Sequence, residues 1–305
     1  MNAPSLDMPA TQGARFHHEV GQQLILAIVC LCAGIVPFAR WIPGDYTRIV
    51  YTVVLLAFAL FARNYTSLRK YWELSFAFFI LGLVAVLQSF VNGYVGTSIL
   101  HDPPNGGDPL GSTVWGTTVI QLLDSLSAIV PIVVLTRLSG SDLGSIYVRK
   151  GVLGRWFVFA AIFFVLFYFF LASLPLRPDS PAQRLLPQSG TLTLGRFFVL
   201  TPALLVVSLF NAFEEEFMFR GLFLQKYGVF FGPRIANVLQ AIVFASAHVG
   251  VTYTPNFLLF VVLLIVPLGL FGGYLMRATN SVITPGIFHG ALDMGIYLAF
   301  LSYAT

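Results

Sequence analysis

Long apolar runs alternate with short polar segments from residue 22 to the end of the chain. Runs at 22–39, 49–62, 74–91, 114–135, 156–174, 197–213, 235–250, 257–276 and 282–301 approach or reach the ~20 residues that a helix needs to cross a bilayer. The 49–62 run is the shortest, so the pattern predicts eight or nine spans in an all-α, polytopic membrane helix bundle. The first run lies too deep in the chain, and is too long, for a cleaved signal peptide. Residues 1–21 are polar, include His17 and His18, and are expected to form a flexible aqueous tail. Residues 22–196 are expected to form N-terminal transmembrane helices and loops, and 197–305 a transmembrane core. Pro/Gly-rich stretches at 101–112 and 175–195 read as loops, and no internal repeat is visible.

Composition strengthens this picture. Of 305 residues, 57% are hydrophobic and only 10% charged, whereas soluble domains carry about a quarter charged residues. Disordered, collagen-like and disulfide-stapled classes are excluded on the same grounds. Cys30 and Cys32 stand two apart on one expected helix and so point to different faces. They are expected to be buried small hydrophobes rather than a disulfide, and no zinc-type cysteine cluster exists. The formal charge of +4 is spread one to three residues per loop, with none of the clustering that phosphate binding requires. The expected partner is therefore the lipid bilayer, with no nucleic acid.

The basic residues also suggest an orientation. With the N-terminus inside, the inner segments hold Arg15, Arg63, Arg69, Lys70, Arg137, Arg149, Lys150, Arg155, Lys226, Arg234 and Arg277. The outer ones hold Arg40, Arg48, Arg177, Arg184 and Arg196. A multi-pass protein of the cytoplasmic membrane, N-terminus inside, is the expectation.

Ionisable groups in hydrocarbon cost at least ~2.5 kcal/mol each and default to being functional or paired. The last third of the chain concentrates them: Glu214-Glu215-Glu216, Arg220, His248, His289 and Asp293. Glu216 and Arg220 are spaced i,i+4 and pair on one helix face. Glu215 is turned by about 100° from Glu216 and lacks a partner in its own helix, which leaves it available to a cavity. Glu214 falls on another face, where solvent or a local hydrogen bond is expected to satisfy it. A turn at 228–233 (GVFFGP) would fold two helices antiparallel and bring Glu215 and His248 to one depth, and His289 lies at a matching depth on a later helix. Asp124, with Gln121, Ser125 and Ser127, makes a polar face suited to hydrogen bonding between helices. Gly272, Gly273 and Gly290 suit close helix approach.

Glu215-Glu216-x-x-x-Arg220, Phe244-x-x-x-His248 and His289-x-x-x-Asp293 together resemble the three motifs of the CAAX-protease and bacteriocin-processing (CPBP) family. Its best-known members are the type II CAAX prenyl endopeptidases. The resemblance covers about residues 197–300 and implies an intramembrane glutamate-dependent endopeptidase whose substrates are membrane-associated, sometimes lipidated, proteins or peptides. It implies that Glu215 with His248 activates a water and that His289 with the residue at 293 stabilises the oxyanion. Glu216, Arg220 and Phe244 would hold the architecture. Family members often carry Asn at the position of Asp293. An ionised Asp there would repel an oxyanion, so Asp293 is either protonated or orients His289.

No cofactor is expected. A zinc site of His248, His289 and a carboxylate is the alternative enzyme mechanism, ranked lower because no HExxH helix exists. Outside catalysis, the same residues would suit a proton-coupled transporter or a non-catalytic scaffold or immunity protein. Substrate choice is not written in residues 1–196. On the orientation above, the site's cavity is expected to open to the cytoplasm.

Overall fold

The computed structural model describes residues 10–39, 45–94, 113–177, 192–249 and 257–304. Among these residues the chain is helical with no strand. The helices are α1 (Ala10–Ile35), α2 (Asp45–Asn64), α3 (Trp72–Phe90), α4 (Val114–Leu138), α5 (Arg155–Ser173), α6 (Leu194–Glu215), α7 (Leu224–Ala247), the single turn α8 (Phe257–Phe260), α9 (Val266–Thr279) and α10 (Ile283–Tyr303). Their starts follow ordinary capping chemistry: Thr113 accepts from the Gly116 N–H at 2.9 Å, and Thr193 from the Arg196 N–H at 3.1 Å. α9 stops at Asn280, whose φ of 52° is left-handed.

Eight of the described helical segments are long and apolar enough to cross a bilayer. The 45–64 segment is one of them, so the shortest apolar run marks a full-length helix. α10 is not among the eight, since His289 and Asp293 dilute its apolar character. It nonetheless packs against α5, α6 and α9 in the body of the bundle. α1 begins at Ala10, inside the stretch expected to be a flexible tail. Residues 1–9 lie outside the described residues, as do the expected loop at 101–112 and most of that at 175–195.

The outer surface is the lipid-facing one. α1 exposes Leu24, Ile25 and Ile28, α2 exposes Val53 and Val54, and α5 exposes Ile162, Leu166 and Phe169. Such a band is too apolar for water and natural for acyl chains. The chain is a multi-pass integral membrane protein. Cys30 is buried as expected, whereas Cys32 is exposed on the same helix, and both are free thiols.

With hydrocarbon on the outside, helix association rests on close packing rather than on expulsion of water. One cluster joins α3, α7 and the segment after α6 through Phe78, Phe219, Phe223, Tyr227 and Phe244. A second joins α5, α6 and α10 through Leu171, Leu200, Leu204, Met294 and Leu298. At Gly273 a Cβ would overlap the Asn237 amide oxygen, so glycine there leaves room for the Asn237 side chain between α7 and α9.

Two backbone departures position the chemistry. Between α6 and α7 the helix widens into a π-turn over Glu216–Gly221, marked by the Leu222 N–H donating to the Phe217 carbonyl at 3.0 Å. At Gly232 the backbone turns to φ 74°, ψ 166°, a conformation open mainly to glycine. The chain reverses there, within the 228–233 turn expected from the sequence.

Helix ends meet in two layers. At one end the Arg48 side chain donates to the Pro37 carbonyl and Ser89 hydroxyl, each at 3.3 Å. At the other, the Val152 N–H donates to the Thr279 carbonyl at 2.7 Å, and the Val282 N–H to the Tyr147 carbonyl at 3.1 Å.

Candidate active site

Glu215 ends α6 at the wall of a cavity of about 350 Å³. The reversal at Gly232 brings His248, at the end of α7, back to it: Glu215 Oε1 is 3.7 Å from His248 Nε2. α10 supplies His289, whose Nε2 is 3.5 Å from Glu215 Oε2 and 3.6 Å from Asp293 Oδ1. Glu215, His248, His289 and Asp293 all line the same cavity. Three helices therefore deliver one carboxylate, two imidazoles and a second carboxylate to one volume.

Glu216 faces away from the cavity and is fully buried with Arg220, Oε1 to Nη1 at 3.3 Å. The i,i+4 pairing survives the π-turn. Glu216 does more than its spacing suggested, because the same Oε1 lies 3.0 Å from His289 Nδ1. A carboxylate paired to Arg220 is an acceptor, so His289 donates Nδ1–H to it and turns Nε2 toward Glu215 and Asp293. His248 is fixed similarly, with Nδ1 2.9 Å from the Phe244 carbonyl one helical turn earlier. Its Nε2 then faces Glu215.

Phe244 is the spacer of the site. Arg220 stacks over its ring at 3.9 Å. The His248 and His289 rings meet it at 4.7 Å and 5.8 Å between centroids, tilted by 60° and 86°. The guanidinium over the ring and the two imidazoles beside it pack tightly around this one aromatic side chain.

Several polar partners were not visible in the sequence. Asn211 donates to Asp293 Oδ2 at 3.0 Å, and Gln121 donates to Asn211 at 3.2 Å. Tyr297 in turn donates to Gln121 at 2.7 Å. Asp124 accepts from Gln88 at 3.1 Å and from Asn92 at 2.9 Å, so the polar face of α4 does bond across helices. Glu214 departs from expectation. It is only 3% exposed and neither faces solvent nor bonds locally. Its Oε1 accepts from Gln88, 126 residues away. Such partners share no spacing rule, since they sit on helices distant in sequence.

The cavity borders a groove of about 310 Å³ through shared walls at Phe38, Gln88 and Ala247, and the groove continues past Arg48, Ser89 and Asn92. These residues lie at or just beyond the ends of α1, α3 and α7 and in the first turn of α2. That layer is opposite the loops holding Arg69, Lys70, Arg149, Lys150 and Arg155. The expected inside N-terminus and the expected cytoplasmic opening therefore do not hold together.

Among the described residues no group of three or more His, Cys, Asp or Glu side chains has the geometry to hold a metal ion.

Residues 196–295 match the family model of the Rce1-like type II CAAX prenyl endopeptidases. The matched third of the chain is the one that carries the three motifs, and over it the chain is similar to a protease family. No curated protein and no solved structure matches the chain.

Proposed function

We propose that this protein is an intramembrane endopeptidase acting on membrane-associated proteins or peptides. The observation that supports it most is the Glu215 carboxylate, which sets one oxygen toward each of two imidazoles at the wall of one cavity. A separation of 3.7 Å between Glu215 and His248 suits a bridging water, which gives a proton to the base as its oxygen attacks the scissile carbonyl. The C–N bond then breaks, and the same proton passes to the leaving amine. In its imidazolium form, His289 donates Nε2–H to the oxyanion, a contribution worth about 10²- to 10³-fold in rate for a single donor. Asp293, held through Oδ2 by Asn211, orients that imidazole instead of facing the oxyanion. Glu216 fixes the ring from the other side by accepting Nδ1–H.

On this reading the reaction needs no metal. Cleavage by the purified protein in lipid nanodiscs is expected to persist in EDTA and 1,10-phenanthroline. In membranes expressing the Glu215→Gln variant, fragments seen with the wild type are expected to vanish, with a rate loss of about 10²-fold or more. Unchanged fragments in that variant, or loss of cleavage on chelation, would overturn the mechanism.

A further inference from the structure

The catalytic reading leaves one end of the cavity unexplained. Glu214 lines that end and is 97% buried, from its 3% exposure. Its Oε1 accepts from the Gln88 amide, while Oε2 makes no well-aligned hydrogen bond and has only the Ser125 hydroxyl nearby. The same Gln88 nitrogen donates to Asp124 Oδ2 at 3.1 Å, so one amide holds two carboxyl groups side by side. Neither has a cation beside it. Arg220 is committed to Glu216, and Arg48, in the neighbouring groove, pairs with Asp45 at 3.2 Å. Among the described residues, no lysine or arginine lines the cavity. Its ionisable wall is three carboxyls, Glu214, Glu215 and Asp293, against the two imidazoles of His248 and His289. A buried carboxyl group with few and weak donors is costly unless something arriving satisfies it.

We propose that Glu214, with Asp124 behind Gln88, forms a subsite that receives a lysine or arginine side chain of the peptide substrate. This rests on the reading that the cavity receives a peptide, and it names the chemistry that peptide brings. An ammonium or guanidinium there supplies a charged donor to the Glu214 carboxyl and relieves the crowding of carboxyl groups at that end. The apolar cavity wall, with Leu264, Leu268, Leu292 and Ile296, takes the flanking hydrophobic residues. Low dielectric around the pair makes the discrimination steep. The subsite is distinct from the hydrolytic centre, because Glu214 contacts neither imidazole and Glu215 keeps both.

The test uses fluorescent hydrophobic nonapeptides with one lysine scanned along the sequence, and the same set with acetyl-lysine, binding to the full-length protein in nanodiscs. At one register lysine is expected to bind about tenfold or more tighter than acetyl-lysine, the size of a charge-assisted hydrogen bond. Glu214→Gln is expected to erase most of that preference, Asp124→Asn to reduce it by about threefold, and Glu215→Gln to keep it. Asp124→Asn leaves Glu214 in place, so the proposal stays testable where Glu214→Gln fails to fold. Equal binding of both peptide sets at every register overturns the proposal, as does a preference that survives both acidic-pair variants or disappears only with Glu215→Gln. A protein that binds with the lysine preference but cleaves nothing would instead sink the peptidase reading alone.

Discussion

At the scale of residues, the two imidazoles have different attachments and should fail differently. His289 donates to Glu216 and belongs to the buried pair with Arg220. His248 rests on one backbone carbonyl at the rim of the same cavity. His289→Ala is therefore expected to lower both activity and thermal stability, with about 1–3 kcal/mol lost from an unsatisfied buried acceptor. His248→Ala should abolish activity with a much smaller change in unfolding temperature, measured by scanning fluorimetry in nanodiscs. Equal stability losses would contradict the bonding described. The Glu216–Arg220 pair is a sharper case. Both side chains are fully buried, so Arg220→Met alone leaves an uncompensated carboxylate and should cost about 3–5 kcal/mol. The Glu216→Gln/Arg220→Met double variant should recover part of that stability, and a double variant worse than either single one would refute the pairing. The i,i+4 spacing made this pair legible in the sequence. The His289 bond was not legible, because 73 residues separate it from Glu216.

At the scale of elements, the site depends on a reversal and a close approach. Gly232 turns the chain so that α7 returns to the depth of Glu215, and the GVFFGP turn announced it through its local composition. Gly273 lets α9 reach α7, where the Asn237 side chain donates to the Leu270 carbonyl at 2.9 Å and Gln240 to the Gly269 carbonyl at 2.8 Å. Gly273→Ala is expected to force these helices apart at a cost of about 1–3 kcal/mol, read as a lower unfolding temperature. Gly195→Ala, at a position with nothing near its Cβ, serves as the neutral comparison, and similar behaviour of the two would overturn the packing argument. The π-turn after α6 had no sequence signal, and its residues are buried in the packed interior of the bundle.

At the scale of the whole molecule, the basic loops and the groove lie at opposite ends of the bundle. Lysine and arginine bias orients such chains toward the cytoplasm, so the groove is expected to face away from it and substrate to enter from that side. Single-cysteine variants built on a background free of Cys30 and Cys32 would decide this. An impermeant maleimide on intact cells is expected to label Ser89→Cys and spare Ser141→Cys, and the reverse pattern would invert the orientation. The helical class and the nine apolar segments were readable from the sequence alone, as were the residues concentrated in the last third. Hydropathy and i,i+4 spacing are local properties, and local properties are written in order along the chain. Tertiary structure alone decided that α3 brings Gln88 to Glu214, that Asn211 holds Asp293, and toward which end the cavity opens. Those outcomes depend on which helix faces which, and in a bilayer that is settled by shape and by the pairing of buried polar groups rather than by any pattern within one segment.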